Sequence, residues 1–261
     1  MLEFQNITVA KEKHPILNKV SFSVPEHSLT VLIGMNGAGK TTIANCLCRQ
    51  QDYHGNITLN GKEISQYTPR DLAKKISVLP QLLPNPGITV EELVSYGRNP
   101  YLGINRHLNS DDIRIIDNAM QMADCANIRN RILPTLSGGE RQKAFLAMNL
   151  AQQTDVIVLD EPTSHLDAVA EMEFLTLLKE LTNSGKTVLL VMHNLTLAVK
   201  FADNIVILDQ NACVFSGTKE DCLQQQSIEK TFSVRRFDAC QSDNADIFFL
   251  AYAKKQEAER H

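Results

Sequence analysis

No stretch of this sequence approaches the roughly 18 consecutive apolar residues that a membrane-crossing helix needs, so no segment is predicted to span a bilayer. No basic run exceeds two residues: Lys74-Lys75, Arg235-Arg236 and Lys254-Lys255 read as solvated faces. With a net charge of −4, nucleic acid is not expected as a main partner. None of the six cysteines forms a C-x-x-C pair, and no histidine stands at zinc-site spacing from them. Reduced structural thiols are predicted, as suits the cytosol. The first residues, MLEFQNITVAKEKH, carry charges where a secretory leader needs an apolar run. What remains is a chain of 261 residues, 43% hydrophobic, enough for one large domain or a core with an inserted lobe.

The most informative stretch is Gly34-Met35-Asn36-Gly37-Ala38-Gly39-Lys40-Thr41-Thr42. An apolar run, residues 29–33, leads in, and a helix-forming run, residues 43–49, leads out. Strand, glycine-rich loop and helix start, in that order, make a phosphate cradle. Glycines let the backbone curl closely around an anion, and the helix start adds unpaired N–H groups and a positive dipole end. Lys40 supplies a mobile charge for the β- and γ-phosphates, and Thr41 a hydroxyl for Mg²⁺.

Residues 2–9 and 16–24 alternate apolar and polar, and both read as half-buried strands. With a further strand at 55–60 they predict an antiparallel sheet beside the nucleotide core. A short helix is predicted over 69–75 and a core strand over 76–79, closed by Pro80 and Gln81. Residues 82–87 read as a hinge-like linker. From Thr89, a plausible N-cap, the texture turns helical. A second helix opening at Ser110 is expected to bury Ile113, Ile116, Met120 and Ala123 on one face. Ser137-Gly138-Gly139 starts another helix and is a second anion-binding loop. Residues 156–161 read as a buried strand closed by Asp160 and Glu161, and 187–192 as one closed by His193. Strand–loop–helix repeats with polar residues at strand ends predict a parallel-sheet NTPase core. Residues 254–261 are expected to fray.

Two adjacent carboxylates at a strand end demand separate roles, because successive strand residues point opposite ways. Asp160 is the natural Mg²⁺ partner opposite Thr41. Glu161 can then polarise the attacking water. Gln81 can bond both that water and the metal site, and His193 can donate to a γ-phosphate oxygen. The catalytic candidates are thus Glu161, His193 and Gln81, and the metal candidates Thr41, Gln81 and Asp160. The nucleotide-binding set is residues 34–42 with Ser137, Gly138 and Gly139. Since the chain has one lysine-bearing cradle, the second loop is free to serve a neighbour's ATP.

Together these residues resemble the ATPase subunits of ABC transporters over nearly the whole chain. Residues 34–42 match Walker A, Gln81 the Q-loop, residues 136–140 the LSGGE signature, and 156–161 Walker B with its glutamate. Residues 164–167 match the D-loop and His193 the H-loop. The resemblance implies an α/β fold: a P-loop NTPase core with a parallel sheet (1–85 and 136–261), an antiparallel β-subdomain, and an inserted α-helical subdomain (86–135). It implies Mg²⁺-dependent hydrolysis of ATP and a head-to-tail dimer with a second copy. It further implies docking of integral membrane permease subunits near the Q-loop, indirect service to a substrate-binding protein, and a peripheral place on the cytoplasmic face of the cell membrane.

Gly97-Arg98-Asn99-Pro100, a GR-x-P segment, is similar to the branch importing ferric siderophores, haem and cobalamin, with a ferric siderophore the first expectation. Ribosome- or DNA-directed ABC ATPases usually carry two cassettes or a long coiled coil, whereas one Walker A occurs here. An intact Glu161 and His193 argue against a regulator without catalysis. One departure concerns adenine. The family usually stacks an aromatic on the base, at a position that falls near Lys11, but between Phe4 and Phe22 the only ring is the imidazole of His14. The D-loop also carries His165 where small residues are common.

Overall fold

The computed structural model describes residues 1–11, 14–103, 107–164, 166–241 and 244–251. The chain opens with β1 (Leu2–Lys11) and β2 (His14–Val24), then β3 (Leu29–Gly34), the glycine-rich loop and α1 (Lys40–Leu47). β4 (His54–Leu59), β5 (Lys62–Glu63), α2 (Pro69–Ala73) and β6 (Ile76–Leu79) follow. Then come α3 (Val90–Ser95), α4 (Ser110–Met122) and α5 (Gly138–Ala151). β7 (Val156–Asp160), α6 (Ala168–Asn183), β8 (Thr187–Val191), α7 (Leu195–Phe201), β9 (Asn204–Asp209) and β10 (Ala212–Thr218) complete the core. α8 (Lys219–Gln224), α9 (Ser227–Phe232) and a hairpin of β11 (Val234–Gln241) and β12 (Asn244–Ala251) end the described part. The predicted fraying of residues 254–261 lies outside the described residues, as does His165.

Two sheets carry the architecture. A four-stranded antiparallel sheet has the order β2-β1-β4-β5, and a six-stranded sheet the order β10-β9-β3-β8-β7-β6. In the larger sheet β9, β3, β8, β7 and β6 run parallel and only β10 is antiparallel. β3, β7 and β8 are buried at every position, as parallel strands covered on both faces must be. The pleat sorts their side chains into two cores. Val31, Ile33, Ile157, Leu159, Val188 and Leu190 face α3 to α6. Leu32, Val156, Val158, Leu189 and Val191 face α1 and the antiparallel sheet. That second core is anchored by Phe4 and Phe22, whose rings stack with centroids 4.3 Å apart.

The caps confirm several local expectations. Thr89 accepts from the Glu92 N–H and Glu92 bonds back to Thr89, a reciprocal capping box. The second lobe helix departs from its expected face. It opens at Ser110 as expected, capped by Asn109, but Ile113 is half exposed while Asp112 is buried. A periodicity count places apolar residues inward; here a buried arginine, Arg98, draws the carboxylate in instead. Among the described residues no helix is long and apolar enough to cross a membrane. Cys46, Cys48, Cys125, Cys213 and Cys222 are free, and burial pushes the thiols of Cys46 and Cys222 up to about 12, which leaves them unreactive.

Phe4→Ala should destabilise the protein by about 3–5 kcal/mol, the usual cost of emptying a buried aromatic site. The expected fall in Tm is on the order of 10 °C for a domain of this size. A thermal melt shifted by less than a degree would show that the antiparallel sheet contributes little to the common core.

Candidate functional site

The parallel order brings the ends of β3, β6, β7 and β8 to one edge of the sheet. Within the loop after β3, Gly37 and Gly39 hold φ of 80° and 95°, values open to glycine at little cost. A Cβ on Gly39 would meet Leu17 at 2.4 Å and the Ile16 carbonyl at 2.9 Å, so the loop lies directly on β2. A Cβ on Gly34 would meet the Leu208 carbonyl at 2.5 Å. Lys40 is 5% exposed. Its Nζ donates to the carbonyls of Gly34 at 2.9 Å and Met35 at 3.1 Å. Burial lowers its pKa, against the opposing pull of Glu161 and Asp160.

Asp160, the last residue of β7, is 1% exposed, and neither carboxylate oxygen accepts a hydrogen bond of ordinary geometry. Burial raises its pKa, against the Thr41 hydroxyl and the Lys40 charge. A buried carboxylate with two open oxygens, next to a threonine hydroxyl and oxygen-rich, fits a hard divalent cation such as Mg²⁺. Among the described residues no cluster of three His, Cys, Asp or Glu could hold a metal by itself, so such an ion would draw further ligands from phosphate and water.

Glu161 does not continue the strand. Its φ is 51°, so the separation from Asp160 comes from a left-handed turn rather than from strand alternation. Its N–H bonds the Val191 carbonyl at 3.1 Å, which draws the end of β7 toward that of β8. The carboxylate is gripped on both sides: Gln81 Nε2 donates to Oε2 at 2.7 Å, and His193 Nε2 lies 2.5 Å from Oε1. A left-handed non-glycine residue at such a place stores backbone strain of the kind found at functional sites.

These groups share one open cleft of about 620 Å³. It is lined by Asn36, Gly37, Gly39, Lys40, Thr41 and Thr42 from the loop, by Gln81, Glu161 and His193 from the strand ends, and by Ile16 from β2. Met35 turns away into a neighbouring cavity of about 340 Å³ with Met192, Leu195 and Phe232. Ser137, Gly138 and Gly139 are not among the residues lining either cavity. They begin α5, where the Ser137 hydroxyl accepts from the Glu140 N–H at 3.3 Å and Glu140 accepts from the Ser137 N–H at 2.8 Å. Arg131 holds the other Glu140 oxygen at 2.6 Å, and these bonds keep Glu140 below the usual carboxylate range. Ile16 was not foreseen: β-alternation marks it as one face of a strand, but only packing shows that this face borders the cleft. His14 and Lys11 are both exposed.

A glycine-rich loop on a buried lysine, at the C-terminal edge of a parallel sheet with an orphaned carboxylate opposite, defines a P-loop nucleotide-binding protein. The family model described as "ABC transporter" matches residues 17–164. The iron(3+)-hydroxamate import ATP-binding protein FhuC of Bacillus subtilis (strain 168) is 38% identical over 84% of this chain and 82% of its own length. The ferric enterobactin transport ATP-binding protein FepC of Escherichia coli (strain K12) is 33% identical over 90% of this chain and 88% of its own. A putative metal-chelate type ABC transporter in an inward-facing conformation superposes with a TM-score of 0.84 at 23% identity, covering 97% of this chain and 98% of that one. The chain belongs to the ABC transporter family.

Because burial holds the Asp160 pKa above its unfolded value of 3.8, the native state binds the proton more tightly than the unfolded chain. Stability of the nucleotide-free protein should therefore fall as pH rises from about 4 through the native pKa. Asp160→Asn should remove that slope and raise the Tm at pH 7. Melting across pH 4–8 checks this; an unchanged slope in the variant would place the titration elsewhere.

Proposed function

We propose that this chain is the ATP-hydrolysing subunit of an importer of ferric siderophores, bound peripherally at the cytoplasmic face of the cell membrane. The observation that carries this reading is the convergence of Lys40, Thr41, Gln81, Glu161 and His193 on one cleft, with the orphaned Asp160 beneath and the 137–139 loop outside it. The relatives named for iron(3+)-hydroxamate and ferric enterobactin support the cargo class. A second reading, haem, rests on the hemin import ATP-binding protein HmuV of Rhodococcus jostii (strain RHA1), 34% identical over 88% of this chain and 79% of its own length.

In this reading the loop amides and Lys40 bind the phosphates of ATP. Thr41 and Asp160 hold Mg²⁺, which when bound neutralises charge on the phosphates. Gln81 and Glu161 orient the attacking water, and Glu161 takes its proton. His193 donates to the γ-phosphate. Glu161 is held by both Gln81 and His193, so His193 would exchange that carboxylate partner for phosphate. The 137–139 loop, too remote to complete its own cleft, serves the cleft of a second copy. A dimeric bacterial ABC transporter cassette (MJ0796) with a TM-score of 0.73 at 24% identity, over 84% of this chain and 99% of that one, shares the fold.

Residues 86–135 act as the helical subdomain, and residues 1–85 with 136–261 as the nucleotide-binding core. On the core lies a groove of about 500 Å³, lined by Leu47, Leu72, Ile76 and Val78 among others. Its apolar floor suits a helix of a membrane permease subunit.

Glu161→Gln should keep ATP binding, cut turnover about 10²–10⁴-fold, and accumulate an ATP-bound dimer on sedimentation. Wild-type turnover in that variant would remove Glu161 from the role of base. Lys40→Ala should weaken ATP binding itself.

Among the described residues no Phe, Tyr or Trp lines the cleft, so the base lacks stacking worth about 1–3 kcal/mol; ATP should bind weakly and GTP should be hydrolysed at a comparable rate. A strong ATP preference that survives His14→Ala and Lys11→Ala would show that the base is held some other way.

A further inference from the structure

Gly97 and Arg98 of the GR-x-P segment, with Tyr101 just after it, converge on one end of one helix. A Cβ on Gly97 would meet the Met148 carbonyl at 2.2 Å, so this stretch lies directly on the backbone of α5. Arg98, 4% exposed, donates from Nε to Asp112 at 2.9 Å. Its Nη1 donates to the Ala151 carbonyl at 2.8 Å and to the Gln153 side chain at 3.0 Å. The Tyr101 ring stacks on the guanidinium with Cζ 4.0 Å from its centroid, and the Tyr101 hydroxyl donates to the Gln152 carbonyl at 3.0 Å. The last carbonyls of a helix lack partners within it and attract a cation. Here both needs are met by residues some fifty positions earlier in the chain.

That helix is α5, whose opposite end is the 137–139 loop, about 21 Å away for 14 residues. The clamped end also touches the core. Gln152 Nε2 donates to the carbonyls of Ala73 and Ile76, and Gln152 lines the apolar groove. Arg70, on α2 beside that groove, donates to the carbonyls of Pro100 and Leu102, both at 2.7 Å. The segment therefore joins α3, α4 and α5 into one body and ties that body to the groove wall.

We propose that Arg98, backed by Tyr101, is a positioning residue for ATP hydrolysis. It fixes the C-terminal end of α5 so that the 137–139 loop at the other end is held at the angle a second copy's nucleotide requires. An occupant of the groove, pressing on the Gln152 and Arg70 ties, would be felt at that loop through the same clamp. Coupling of this kind needs a stiff element with a defined pivot, and a helix gripped at one end supplies it. The proposal rests on the reading of the 137–139 loop as a contact to a neighbour's nucleotide.

The test must separate positioning from folding. Removing one member of a buried ion pair strands a charge, whereas replacing both by apolar residues is often neutral to stability. The variant is therefore Arg98→Met with Asp112→Leu, which also abolishes the bond to the Ala151 carbonyl. Its turnover should fall at least about tenfold with KM for ATP unchanged within about twofold, since the cleft of its own chain is untouched. Placed in the Glu161→Gln background at saturating Mg-ATP, it should need at least about tenfold more protein to dimerise on sedimentation. Tyr101→Phe, which deletes one hydroxyl and keeps the ring, should move both measurements the same way by a smaller factor, and it carries the test if the double variant does not fold. Unchanged kcat and unchanged dimerisation in a folded variant would overturn the proposal, as would kcat and KM worsening together. Glu161→Gln that fails to dimerise by itself would instead overturn the dimer reading, and with it the proposal that rests on that loop's contact to a neighbour.

Discussion

Lys40 is the charge on which the site depends. It is buried, and its ammonium donates to two carbonyls of its own loop. Those bonds fold the loop back over the helix start and hold open a cradle of N–H groups. Burial disfavours the charge, while the two carboxylates at the end of β7 favour it. Lysine and carboxylates come from distant parts of the chain, so neither environment exists without the parallel sheet. The order β9-β3-β8-β7-β6 is thus an electrostatic arrangement as much as a topological one: it sets a buried cation beside two acids at one edge of the sheet.

The acids divide their work by burial and backbone. Asp160 stays within β7, dry and without a hydrogen-bond partner. Such a group is costly unless a cation completes it. Glu161 steps out through a left-handed turn and is gripped by Gln81 and His193. Strand alternation alone argues for different surroundings, and the surroundings do differ, but the turn is what separates them. The same kind of substitution of cause occurs in α4. An amphipathic count places Ile113 inward, yet the guanidinium of Arg98 needs a buried counter-charge, so Asp112 takes the inward place. Helical periodicity measures apolar preference and is blind to a buried ion pair.

The 137–139 loop shows how much a single chain leaves unfinished. Its serine and glutamate satisfy one another in a capping box, and Arg131 restrains the glutamate. These local bonds hold the loop, which offers its helix N-terminus outward. What aims it is remote: the grip of Arg98 and Tyr101 on the last carbonyls of α5. Local caps order the loop, and a tertiary cap at the far end sets its direction.

The sequence alone determined the family, the cradle, the strand ends and the starts of α2 to α5, because these rest on short-range rules. Glycines permit tight turns, side-chain oxygens cap helices, and apolar runs of strand length become buried strands. Gln81, Glu161 and His193 could be marked as strand-end residues from the same rules. Their meeting at 2.5 to 2.7 Å, the dryness of Asp160, the apolar wall of Ile16 and the clamp around Arg98 were decided only by the tertiary structure. Each depends on which strands become neighbours and on what is excluded from water, and no pattern along the chain carries either quantity.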